Sequence, residues 1–201
     1  MNEPATSDQR LAKGARSRAS IARHAADVAS VEGLNGVTIG RLATDLGISK
    51  SGIATLFGSK ESLQLAAVKA GRDAFVTEII TPSLNEPRGL PRVRALIDRW
   101  FAHITEPFFP GGCFRTAALT EFDSKPGPVR DALVADHSAW LAFLAEEIRK
   151  AQAQGELPGV DPDMLVFELD AVVSAANTAR QIGDDTKVTL ARAITDRLLN
   201  A

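Results

Sequence analysis

Between residues 38 and 60 the apolar positions fall into two short stripes at helical spacing. Ile39, Leu42, Ala43 and Leu46 stand at i, i+3, i+4 and i+7, one face of a helix of about two to three turns. Thr38 precedes them as an N-cap whose hydroxyl can accept from an unpaired backbone N–H. Gly47 follows, where a helix ends in left-handed backbone. Ser49 caps a second helix, whose Ile53, Leu56 and Phe57 repeat the spacing. Gly58 stops that helix, and Ser59 caps a third that opens on Lys60 and Glu61.

The pattern extends in both directions. A first helix is predicted over 15–32, with Ile21, Ala25, Val28 and Ala29 inward and Gly33 at its end. Residues 1–14 are polar, carry Pro4 and Gly14, and read as a mobile basic tail whose Arg10 and Lys13, with Arg16 and Arg18 just beyond, are candidate phosphate contacts. Downstream, a long helix is predicted over 60–80 with Leu63, Ala67, Ala70 and Ala74 inward, and 82–91 reads as a linker between domains. Beyond it, Val93, Leu96, Ile97, Trp100, Phe101 and Ile104 trace one face. A short helix follows over 113–122, then a long one over 129–154 with Val129, Leu133, His137, Trp140, Leu144 and Ile148 inward. The last two helices are predicted over 162–182 and 186–200. No run of four or more residues alternates as a strand would. The expected fold is therefore all-α, with about nine helices: a tail (1–14), a helix-turn-helix domain (15–62, motif about 38–57) and a C-terminal helical bundle (63–201).

Two short helices around a glycine turn are the geometry that places a recognition helix in the DNA major groove. The outer face of the second helix is small or long-polar: Lys50, Ser51, Gly52 and Thr55. The competing reading is an ordinary helical hairpin with a solvated polar face, and pattern alone leaves the two even. The stretch from Arg18 to Leu63 resembles the DNA-binding domain of the TetR family of bacterial repressors. The resemblance rests on Ile21, Ala25–Ala26, Gly33, Thr38, Leu42–Ala43, Gly47–Ile48–Ser49–Lys50, Phe57, Ser59–Lys60–Glu61 and Leu63. It implies a dimeric, ligand-controlled repressor of a near-palindromic operator in double-stranded DNA. Thr38, Arg41, Ser49, Lys50, Ser51, Gly52, Thr55 and Lys60 are its expected DNA contacts: Lys50 and Lys60 on phosphates, Ser51 and Thr55 on bases. The chain departs from the family at Ala54, where an aromatic is usual, and near Leu56, where His or Tyr is common.

Charge supports the same division. The net charge is −2, yet residues 10–60 alone carry a net of +5, so the remainder is acidic. A basic module and an acidic body fit phosphate binding by the first. With one cysteine, three histidines and no cluster at metal spacing, no disulfide framework, metal or cofactor is expected. No run of about 18 apolar residues suggests a membrane span, and the N-terminus lacks the apolar core of a signal peptide. The expected location is cytoplasmic.

The body concentrates the aromatics. A pocket for a small apolar or amphipathic effector is expected where residues 107–112 break the helices, lined by Trp100, Ile104, Phe114, Phe122, His137 and Trp140, with His103, Cys113 and Asp170 as further polar candidates. Taken singly, each of the six is more commonly a core residue. Cys113 and His137 could form a nucleophile–base pair, but no catalytic signature surrounds them, so an enzyme is not expected. The helix over 162–182 is apolar around more than half its circumference. Together with 186–200 it is expected to form a four-helix homodimer interface. The alternative function is a helical small-molecule-binding protein that keeps the helix-turn-helix only as scaffold.

Overall fold

The computed structural model describes residues 7–200. Each short N-terminal helix begins where a hydroxyl meets a free backbone N–H. Thr38 Oγ1 accepts from Arg41 N–H at 3.1 Å, Ser49 Oγ from Gly52 N–H at 3.1 Å and Ser59 Oγ from Ser62 N–H at 3.0 Å. These caps open α2 (Ile39–Leu46), α3 (Lys50–Phe57) and α4 (Lys60–Phe75). Gly47 closes α2 at φ 63°, a conformation that glycine adopts without the Cβ penalty. The fourth helix continues through a π-helical turn (Val76–Ile80) and a final α-turn (Thr81–Ser83). The others are α1 (Ser7–Gly36), α5 (Leu90–Thr105), α6 (Phe114–Phe122), α7 (Pro128–Ala153), α8 (Pro162–Gln181) and α9 (Asp185–Leu198). Among the described residues there is no strand, and no helix is long and apolar enough to cross a membrane.

Two expectations about boundaries are corrected. Helix α1 begins at Ser7, inside the stretch read as a tail, and runs past a non-helical Gly33 to Gly36. Gly14 weakens a helix by about 1 kcal/mol, which its helix-forming neighbours Leu11, Ala12, Lys13 and Ala15 offset. Residues 1–6 lie outside the described residues. Nor does 82–91 separate domains: Ile79 before it and Val93 after it belong to one hydrophobic cluster. The turn is pinned by the buried Glu147, which accepts from Arg88 Nε at 2.9 Å and Gly89 N–H at 3.2 Å.

The buried side chains form two clusters. One joins α5, the C-terminal part of α4, α7, α8 and α9. The other joins α1, α2, α3 and most of α4 to Phe109, α6 and the first turns of α7. The helix-turn-helix module is thus packed onto the body, and α4 spans both clusters. The 107–112 loop closes against α1 as well: Gly111 N–H donates to Ser30 Oγ at 3.0 Å. A Cβ on Gly111 would lie 1.9 Å from the Ser30 carbonyl oxygen, so only glycine lets the two backbones approach this closely.

Candidate functional site

The outer face of the module is polar and exposed: Thr38, Ser49, Lys50, Ser51, Gly52, Thr55 and Lys60 all face solvent, while Leu42, Ile53 and Phe57 hold the module from beneath. Several of these groups already have intramolecular partners. Ser51 Oγ donates to Ser49 Oγ at 3.2 Å, and Thr55 Oγ1 donates back to the Ser51 carbonyl at 2.8 Å. Lys60 Nζ donates to the Asn35 carbonyl at 2.8 Å. Arg41 lies between two carboxylates, 2.7 Å from Glu32 and 2.8 Å from Asp45. Its hydrogen bonds, to Asp45 first, raise its pKa further. Asp45 is held below the usual carboxylate range by its bonds to His24 and then Arg41. Arg18 reaches the Leu56 carbonyl and lies 4.4 Å over the Phe57 ring, so it closes the C-terminal end of α3. The side chain of Arg10 lies outside the described residues.

Ala54 is half-buried in α3. It presents only a methyl group on that helix.

The six residues expected to line one pocket are distributed over three places. Trp100 and Trp140 pack edge to face at 5.5 Å, both against Phe75 at 6.0 and 5.0 Å, and Ile104 is buried in the same cluster. Phe122 and His137 line an open groove between α6 and α7 of about 380 Å³. His137 Nε2 sits 3.1 Å from Asp170 there, so it does not join the inward stripe of α7. Phe114 lines a small, partly open cavity under α4, with Phe75, His103, Phe108, Cys113 and Arg115. Cys113 and His137 therefore line different spaces, and Cys113 N–H is bonded to Asn177 Oδ1 at 2.9 Å.

Three functional groups escaped the sequence reading. Glu121 on α6 accepts from the Leu34 and Asn35 N–H groups of α1, at 2.6 and 3.0 Å. Arg115 on α6 pairs with Asp136 on α7 at 3.0 Å, and Asp136 in turn lies 3.5 Å from Arg72 on α4. Charged residues scattered through a helical sequence resemble a solvated face, and no local pattern distinguishes those that bridge helices.

His103, also in this cavity, has its pKa lowered to about 4, by burial first and then by Arg115 and Arg23. Its ring stacks on Phe108 at 3.7 Å and accepts from the Phe108 N–H. The unfolded chain takes up this proton near pH 6.5 and the folded chain only near 4, so the stabilisation is complete above pH 6.5 and is lost as pH falls through that window. The expected loss is about 3 kcal/mol. Urea melts at pH 7.5 and 4.5 should show His103→Gln losing about that much less than the wild type on acidification. Equal losses would refute it.

The family described as Tetracyclin repressor-like, C-terminal domain, matches residues 89–195. The chain belongs to the TetR family. Among solved structures, a TetR transcriptional regulator from Chloroflexus aurantiacus is 26% identical, with a TM-score of 0.82 over 93% of this chain and 94% of that one. A TetR-family regulator from Agrobacterium tumefaciens shares the fold at 23% identity and a TM-score of 0.78, covering 92% and 99% of the two chains. So does AibR, solved in complex with isovaleryl coenzyme A and operator DNA, at 22% identity and a TM-score of 0.73, covering 91% and 98%. Among curated proteins none matches this TetR-family chain.

Proposed function

We propose that two copies of this chain grip a near-palindromic operator through α3 and that a small molecule bound in the body loosens that grip. The observation that carries the reading is the module itself: two capped helices on a fully buried core, with Lys50, Ser51, Gly52 and Thr55 presented outward. Lys50 and Lys60 hold phosphates and set the register, and Ser51 and Thr55 read bases with the lone pairs their internal bonds leave free. Thr38, Ser49 and Gly52 bring backbone close to the strand. Arg41, countered by two carboxylates, contributes least.

The dimer is supported by α8, on which Met164, Phe167, Ala171, Ala175, Thr178 and Ile182 are all exposed at steps of three and four. Phe167, on the helix expected to pair with its symmetry copy, is 74% exposed. Leu190 on α9 is exposed as well, and exposed apolar residues of this kind mark an interface. AibR shows that the fold can accommodate both operator and ligand.

The test is fluorescence anisotropy with duplexes from the DNA flanking the gene, titrated in increasing salt. Binding should weaken steeply, log K falling linearly with log salt. Lys50→Ala and Lys60→Ala should each weaken binding to all sequences alike and reduce that slope by about 1. A protein that binds no duplex in dilute buffer would be the ligand-binding scaffold instead.

A further inference from the structure

The cavity under α4 holds a buried cation with an unused donor. Arg115 is 7% exposed and lines the space. Its Nε donates to Asp136, its guanidinium lies 4.0 Å over the Phe75 ring, and its Nη1 has no hydrogen-bond partner. The nearby Trp100 and Trp140 are also buried with indole N–H groups unpaired. A buried polar group without a partner is unfavourable. Charge is unbalanced as well: Arg72 and Arg115 face the single carboxylate of Asp136, and His103 is neutral above about pH 4. The remaining walls, Phe75, Phe108, Phe109, Phe114 and Leu133, are apolar.

We propose that this cavity takes a small monocarboxylic acid, its carboxylate on Arg115 and its apolar body among Phe75, Phe108 and Phe114. The inference rests on the effector-responsive reading above and names the chemistry of that effector. One negative charge completes the balance, and a carboxylate matches the planar guanidinium. The free space is about 10 Å³, room for about one water molecule, so the acid enters only by separating the walls. Those walls include α4, whose Gly71 lies so close to the Phe114 ring that a Cβ there would sit 2.4 Å away. The acid also competes with Asp136 for Arg115 and so disturbs the Asp136–Arg72 link to α4. Phe75 stands immediately before the π-helical turn, a feature common at functional sites. Acid binding is thereby coupled to the helix that carries the DNA-binding module, through a difference in affinity between two body conformations.

The two tryptophans, the only ones in the chain, report on the site. Their fluorescence is to be followed while the protein is titrated with benzoate, phenylacetate, hexanoate and octanoate, each beside its amide, and with inorganic phosphate. At least one acid should bind saturably and about tenfold or more tighter than its amide, a difference of about 1.4 kcal/mol, and phosphate alone should not bind. Arg115→Gln should abolish acid binding. Asp136→Asn, which removes the competing carboxylate, should tighten it and serves as the deciding variant if Arg115→Gln fails to fold. Amides that bind as well as acids, no acid bound at millimolar concentration, undiminished binding by Arg115→Gln, or weaker binding by Asp136→Asn would each overturn the proposal. Duplex binding without ligand, measured in parallel, tests the regulator reading separately: duplex bound and every acid ignored refutes only the acid.

Discussion

Phe167→Glu is expected to convert the protein to a lone subunit at micromolar concentration without unfolding it. The side chain is 74% exposed on the α8 stripe, so within one subunit it has few contacts to lose. In a four-helix interface the same position is buried from two sides, and an unpaired carboxylate there is strongly unfavourable. Loss of the dimer turns one two-handed contact into two independent half-site contacts, which lowers operator affinity by about 10²–10⁴-fold. Sedimentation should give the mass of one chain, with a melting temperature near that of the wild-type subunit. A variant that stays dimeric would place the interface elsewhere.

The second large effect is expected at Glu121. Its carboxylate caps two N–H groups just past the Gly33 break, where the Leu34 and Asn35 carbonyls are taken by Gln64 and Lys60 of α4. One corner of α1 is therefore bonded to both α4 and α6. Hydrogen bonds to a charged acceptor contribute about 1.5–3 kcal/mol each, and this carboxylate is 19% exposed, which reduces the sum. Glu121→Ala should cost about 2–4 kcal/mol and lower the melting temperature by about 5–15 °C. Glu121→Gln, which keeps one carboxamide oxygen as acceptor, should fall between. A shift below about 2 °C for Glu121→Ala would show that the module is held to the body by packing alone.

The sequence was most legible where structure is decided locally. The caps at Thr38, Ser49 and Ser59, the turn at Gly47 and the buried stripe of α5 depend on neighbours within one helical turn, and each stands where the pattern put it. Long-range relations were less legible. An amphipathic stripe says that a face is covered but not by what, so the spacing puts His137 in the inward stripe of α7 although it faces Asp170. Aromatic residues drew attention as pocket walls, yet Trp100 and Trp140 fill space against Phe75. Among the described residues, the buried side-chain groups without a partner are a charged arginine, two indole N–H groups and the Thr195 hydroxyl, a property fixed only once all the neighbours are in place.

Operator recognition requires two α3 helices to reach one duplex together, which hydroxyl-radical footprinting reads directly. On a bound duplex from the flanking DNA, the wild type should protect two patches on one face, their centres about 34–36 Å or a multiple apart. A single patch, or protection spread evenly along the strand, would contradict it.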